Sequence, residues 1–137
     1  ALFAQGAVGA PSPLEGLLHV GRIVWDQMKS QEARDDTILT LETVLAAVRD
    51  PQELAADRRA SWNAAIAMIE GFLRQGQAAG EIDSQLDARA FATALLACGL
   101  GTRLLALELG EELDTDAIFT VLTRMLPAFT PREDQGA

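Results

Sequence analysis

The sequence has one cysteine, one histidine and one lysine, and it has no tyrosine. A single cysteine, Cys98, cannot form an internal disulfide, so we expect a cytoplasmic protein. A single histidine, His19, cannot supply the paired Glu-x-x-His motifs of a di-iron bundle, and no carboxylate spacing around it predicts zinc. With 11 basic against 20 acidic residues and a formal charge of −9, the chain is poorly suited to contact nucleic-acid phosphates itself.

Other features are missing as well. No window reaches about 18 uninterrupted apolar residues, so we expect no membrane span. No glycine-rich phosphate loop, Ser-His-Asp order or paired carboxylate motif is present, so we expect no enzyme, no catalytic residue and no cofactor. Cys98 lies among leucines and alanines with no base at a visible spacing, which favours a small core residue over a nucleophile. His19 is most simply a partly exposed helix residue.

The residues that are abundant favour helix. Of the 137 residues, 49% are hydrophobic, and these are mainly alanine and leucine. No strand-like alternation and no internal repeat occur. A chain of this length suits one domain with its own core. The sequence therefore predicts an all-α bundle of five to six helices.

Capping motifs mark where the first three helices begin. Ser12 and Pro13 predict a helix that runs to about Ser30. A second helix is expected from about Glu32 to Arg49. A third is predicted from Pro51 to Ala79, where Gly80 is a suitable stop. In the second helix, Ile38, Leu41, Leu45 and Val48 share one face, and Thr37, Thr40 and Thr43 lie along another.

Two further helices have acidic caps. Asp87 predicts a fourth helix from Ala88 to about Leu109, and Asp114 predicts a fifth from Thr115 to about Leu126. The fourth helix is apolar nearly all round, so it must be covered on several sides.

Two glycines lie in the interior of the fourth helix. Gly99 and Gly101 each cost about 1 kcal/mol relative to alanine, which predicts a close approach by another helix. We expect this helix to be both the centre of the domain and part of a subunit contact.

The segment from Phe72 to Leu109, "FLRQGQAAGEIDSQLDARAFATALLACGLGTRLLALEL", resembles the C-terminal regulatory domain of TetR-type transcriptional regulators. The matching features are a helix that ends in an Ala-Gly turn, an acidic cap, and an alanine-rich helix with a central glycine. Another Asp-capped amphipathic helix follows. In helix order and length the resemblance extends over the whole chain.

This resemblance implies a homodimer in which the last two helices of each subunit form a four-helix bundle. It also implies that a small molecule among the earlier helices alters the spacing of two DNA-binding heads, in most cases those of a repressor. Those heads would belong to a helix-turn-helix domain that is missing upstream. Residues 1–11 would then be the linking segment, 12–129 the ligand-binding and dimerisation domain, and 130–137 a disordered tail.

Two sets of residues follow as candidate sites. Large apolar side chains that could line a cavity for a small apolar or aromatic effector are Trp25, Met28, Trp62, Met68, Phe72, Phe91 and Leu95. The alternative for each of them is a place in a filled core. The residues expected at the dimer interface are Gly99, Gly101, Arg103, Leu104, Ile118, Leu122 and Met125.

Arg103 is a cation in an apolar run, so it should be paired, bound to a ligand anion, or at the edge of an interface. A second hypothesis for the whole chain is a helical protein-interaction module without a small ligand. A basic helix-turn-helix segment encoded upstream of Ala1 would favour the regulator over this alternative.

Overall fold

A computed structural model of the protein describes residues 12–49 and 55–130, and within these ranges the chain is helical and contains no strand. The helices are α1 (Pro13–Gln27), α2 (Gln31–Arg49), α3 (Ala55–Ala78), α4 (Ala88–Leu109) and α5 (Thr115–Met125). Short 3-10 turns follow α4 at Gly110–Glu112 and α5 at Leu126–Phe129. The prediction of an all-α bundle is confirmed. The predicted linking segment, the predicted start of the third helix and residues 131–137 of the predicted tail lie outside the described residues.

The helix starts are made by the predicted caps. The Ser12 hydroxyl accepts from the backbone N–H of Glu15 at 3.2 Å. Asp87 accepts from two backbone N–H groups of α4, and Asp114 accepts from the N–H of Ala117 at 2.9 Å. Each cap satisfies backbone donors that the first helical turn cannot pair internally.

The first helix ends earlier than predicted. It stops at Gln27 rather than about Ser30, because Ser30 caps the next helix instead. The Ser30 hydroxyl accepts from the backbone N–H of Ala33 at 3.1 Å. Because Ser30 caps the start of α2, it does not continue α1, and the two helices are separate.

The main core lies where α3 turns back into α4. Leu73 of α3 and Ala92 of α4 have no exposed surface, and Ile82 in the connection is 4% exposed. The partly buried side chains packed against this cluster are Leu14, Leu17, Ile66, Ile69, Leu86 and Phe91. The pair α3 and α4 therefore forms the scaffold on which the other helices are placed.

Gly76 makes the turn after α3 compact. A Cβ at this position would lie 2.8 Å from Cδ1 and 3.1 Å from Cγ1 of Ile82, so any larger residue would displace a buried side chain. The backbone N–H groups of Glu81 and Ile82 both donate to the Gly76 carbonyl. Gly80, with φ at +74°, supplies the left-handed residue that this turn requires.

A second, smaller cluster joins α1 to α5. Trp25 is 6% exposed, and its ring centroid lies 5.4 Å from that of Phe119. The guanidinium of Arg22 lies over the Phe119 ring. Asp116 accepts from Lys29 at 2.7 Å and from Arg22 at 3.2 Å. α5 is thus attached to α1 by an aromatic contact and the ion pair of Arg22, and to the turn after α1 by the ion pair of Lys29.

Candidate functional site

A half-open cavity of about 190 Å³ lies between α2, α3 and α4. Its lining residues are Thr37, Thr40, Leu41, Val44, Trp62, Leu100, Gly101, Arg103 and Leu104. The wall is largely apolar, with two threonines and one arginine as its polar side chains. The wall therefore offers mainly apolar contacts.

Arg103 joins α4 to α2 at this cavity. Its Nε donates to Oγ1 of Thr37 at 2.9 Å, and its Nη2 donates to Oδ2 of Asp36 at 2.7 Å and to the carbonyl of Ala33 at 3.3 Å. The Thr37 hydroxyl donates in turn to the same carbonyl at 2.6 Å. The guanidinium is therefore fixed on two of its three nitrogens. Its third nitrogen, Nη1, makes no hydrogen bond to any residue of the described ranges.

Two other lining residues have a polar group without a partner among the described residues. The Trp62 indole N–H and the Thr40 hydroxyl have no hydrogen-bond partner in the part of the chain that the structure describes. Arg58 lies over the Trp62 ring, with its Cζ 5.7 Å from the centroid.

The seven predicted cavity residues do not come together at this site. Trp62 lines the cavity, whereas Trp25 packs against Phe119 in the cluster between α1 and α5. Phe91 packs against the main core, with its ring centroid 4.6 Å from that of Phe129. The other members of the set are half-buried side chains outside the cavity lining, namely Met28, Met68, Phe72 and Leu95.

The threonine face of the second helix was a better guide to the cavity. Thr37 and Thr40, two of the three threonines that the sequence places along one face of this helix, both line the cavity. Thr43 instead donates to the carbonyl of Leu39 and is not part of the wall. Val44 lies one turn beyond Thr40 and two turns beyond Thr37 on the same face of α2. Helical spacing could therefore have predicted that Val44 lines the cavity.

The outer face of α4 is apolar and uncovered. Ala94, Ala97 and Gly101 are exposed along it, and Leu104 and Leu105 retain 44% and 49% of their surface. A Cβ built on Gly99 or on Gly101 would meet no atom within 4 Å. Packing within the described residues therefore does not account for either glycine.

The remaining residues of the predicted interface differ in exposure. On α5, Met125 is 53% exposed, whereas Ile118 and Leu122 are half-buried. Arg103, with 24% of its side chain exposed, is already paired inside the chain. Val121, which the prediction did not include, is 56% exposed next to this set.

The segment Ala88–Glu112 is long and apolar enough to cross a membrane by length and composition, and 11% of its most apolar window is buried. It contains Arg103, whose ion pair with Asp36 attaches it to α2.

No group of three or more metal-ligating side chains occurs within residues 12–49 and 55–130. No family model, curated protein or solved structure matches the chain.

Proposed function

We propose that the chain is the effector-binding and dimerisation domain of a TetR-type transcriptional regulator, most often a repressor. The order and lengths of the helices and the capped alanine-rich α4 support this assignment. Operator DNA would be bound by a helix-turn-helix domain upstream of Ala1, since the acidic surface of this chain is unsuited to phosphates. Such a regulator acts in the cytoplasm.

The cavity supports a small apolar or aromatic effector. An engineered apolar cavity of about 150 Å³ binds benzene, so 190 Å³ accommodates one aromatic ring with a small substituent. Leu41, Val44 and Leu100 supply apolar contacts, and the Trp62 ring supplies a surface for stacking.

The observation that carries the proposal is the double role of α4. Gly101 and Leu104 line the cavity and also belong to the exposed apolar face of the same helix. A ligand that displaces these residues therefore acts directly on the surface that a second subunit would cover. The ligand shifts the equilibrium between two arrangements of the dimer, and the size of the shift is set by the difference between its affinities for the two arrangements.

A symmetric dimer is the simplest cover for this face. Full burial of one leucine side chain contributes about 1.5–3 kcal/mol, so pairing two copies of Leu104 and Leu105 is favourable. The small side chains of Ala97 and Gly101 would let the paired helices approach closely. A bilayer is a poorer cover, because the ion pair of Arg103 with Asp36 would have to leave water.

Tryptophan emission tests the ligand half of the proposal. Titration with toluene should change the emission of the wild-type chain, and Trp62→Phe should abolish the change. Trp25→Phe is the matched control and should retain it, because Trp25 lies in the other cluster. Emission that stays constant in all three proteins contradicts an effector site at this cavity.

A second candidate, a helical protein-interaction module, is favoured by one observation. The outer face of α2 carries Ile38, Leu45 and Val48 with 46%, 54% and 73% of their surfaces exposed. These residues follow the spacing of a helix that pairs with another helix. Two results together would favour this module over the regulator. Toluene would leave the Trp62 emission unchanged, and the upstream coding region would lack a basic helix-turn-helix.

A further inference from the structure

We propose that α2 is a lid that opens and closes the cavity as a unit, and that Arg103 of α4 holds this lid in the closed position. The starting observation is that the cavity between α2, α3 and α4 is half-open. The proposal concerns a motion of the free protein. It therefore does not depend on which molecule the cavity binds or on whether the chain forms a dimer.

The polar attachment of α2 is concentrated on one side chain. Among the described residues, the side-chain hydrogen bonds and ion pairs that join α2 to another helix all involve Arg103. It donates to Oγ1 of Thr37, to Oδ2 of Asp36 and to the carbonyl of Ala33. These three partners lie in the first two turns of α2. The longer, C-terminal part of the helix has no such bond to the described part of the other helices.

That C-terminal part is also weakly packed. Thr37 is the only buried residue within Gln31–Arg49. Further along the inner face, Leu41 and Val44 are half-buried and line the cavity, and on the outer face Val48 is 73% exposed. Side chains that border a void make fewer dispersion contacts, and a segment with few buried contacts opens at a lower free energy than the core does.

The pair of Arg103 with Asp36 can break without leaving a charge buried. The Asp36 side chain is 62% exposed and that of Arg103 is 24% exposed, so water reaches the carboxylate when the pair separates. Ion pairs of this kind contribute little to stability, because water solvates the separated charges. The pair therefore holds α2 in place and still allows it to open.

The turn between α1 and α2 is the natural hinge. It stays attached to the rest of the domain, since the ammonium group of Lys29 donates to Asp116 of α5 at 2.7 Å. The 19 residues of α2 span about 28 Å, so a rotation of about 10° at this turn would move the far end by about 5 Å. A movement of this size would widen the opening of the cavity.

Hydrogen–deuterium exchange of the backbone amides, measured by mass spectrometry, tests the proposal. In the wild type, the amides of α2 should exchange faster than those around Leu73 in α3. Asp36→Asn should raise the exchange of α2 about two- to fivefold and leave that of α3 unchanged. Arg103→Gln removes all three bonds and should raise it about tenfold or more. Because Asp36 is on the surface, its variant keeps the proposal testable if Arg103→Gln fails to fold.

Asp35→Asn is the matched control. Asp35 is the adjacent carboxylate on the same helix, and it accepts a hydrogen bond from Gln31 within α2 rather than from α4. Both substitutions remove one negative charge near the N-terminus of the helix, so their effects on the helix dipole are alike. Asp35→Asn should therefore leave the exchange of α2 close to that of the wild type.

Acrylamide quenching tests whether this motion opens the cavity. Trp62 lines the cavity, and in a Trp25→Phe background it is the only tryptophan of the chain. In that background, Asp36→Asn should raise the quenching constant of Trp62 above that of Asp35→Asn. An equal constant would show that the motion of α2 does not open the cavity, and would overturn the proposal.

Two results of the exchange experiment would also overturn the proposal. Amides of α2 that are as protected as those around Leu73 would show a fixed wall. Equal exchange in Asp36→Asn and Asp35→Asn would show that Arg103 does not hold the helix. Neither experiment uses a cavity ligand, so the lid can fail while the proposed effector site stands, and the reverse also holds.

Discussion

The indole Nε1 of Trp25 donates to the backbone carbonyl of Thr115 at 2.7 Å, across 90 residues of sequence. This bond joins the last turn of α1 to the first turn of α5. Phe119 packs against the same indole, so Trp25 fills the space between the two helices. The residue therefore acts as a connection between helices rather than as part of the cavity wall.

Replacing Trp25 by phenylalanine should lower the stability of the domain. The variant loses the hydrogen bond to Thr115 and part of the buried ring, which together cost about 1–3 kcal/mol of unfolding free energy. Trp62→Phe is the control and should cost less than about 1 kcal/mol, because Trp62 is half-buried and donates no hydrogen bond within the described residues. Urea denaturation followed by circular dichroism measures both. Equal losses would contradict the structural role of Trp25.

Two glycines of α3 should respond to alanine with opposite signs. Gly76→Ala would bring a methyl group to 2.8 Å from the buried Ile82 side chain, and should destabilise the domain by about 1–3 kcal/mol. Gly71→Ala meets no atom within 4 Å and should stabilise the helix by about 0.5–1 kcal/mol. Thermal denaturation of the two variants compares them directly, and a stabilised Gly76→Ala would disprove the tight turn after α3.

The ion pairs that Asp116 of α5 makes with Arg22 and Lys29 predict a folding stability that depends on pH. Hydrogen bonding to Lys29, aided by the charges of Lys29 and Arg22, lowers the pKa of Asp116 below its ordinary value. Because the pKa is lower in the folded state, this stabilisation is fully present above the unfolded pKa of about 4. It is lost as the pH falls through the folded pKa.

Asp116→Asn tests this linkage. The substitution should reduce the unfolding free energy at neutral pH, and the difference from wild type should shrink as the pH falls below about 4. Urea denaturation across this pH range measures the difference. A constant difference from neutral to acid pH would show that the charge of Asp116 is not responsible.

The uncovered face of α4 predicts where a charge disrupts assembly. Leu105→Glu should convert the proposed dimer to monomers, since each glutamate would be buried near its own copy across the two-fold axis. Leu39→Glu on α2, where Leu39 is 61% exposed and lies off the proposed interface, should remain dimeric. Light scattering on both variants is the measurement. A Leu105→Glu protein that stays dimeric would place the interface elsewhere.

Local chemistry explains which parts of the fold the sequence predicts. The caps Ser12, Asp87 and Asp114 act on backbone groups two or three residues away, so short-range patterns suffice to locate the helix starts. Residues 88–109 form a helix with the predicted bounds for this reason. Helix α1 ended early because Ser30 had two possible roles, and its role as a cap for α2 prevailed.

The location of the cavity depends on contacts between distant segments. The sequence alone gives no reason to treat Trp25 and Trp62 differently. In the structure, Trp25 packs against Phe119, whereas Trp62 faces α2 and α4. Helical periodicity indicates which face of a helix is apolar, but not which neighbour that face meets. Pairing was one of the alternatives foreseen for Arg103, whereas its partner Asp36, 67 residues away, is fixed by the packing of α2 on α4.

The mass of the wild-type chain in solution tests the central proposal most directly. Sedimentation equilibrium at micromolar concentrations should give twice the 14.6 kDa chain mass if, as we propose, a second copy covers the exposed apolar side chains of α4 and α5. Addition of toluene, the probe for the cavity, should change the dimerisation constant, since Gly101 and Leu104 belong to both the cavity and the outer face of α4. A mass of 14.6 kDa at all concentrations, with or without ligand, would contradict the proposal.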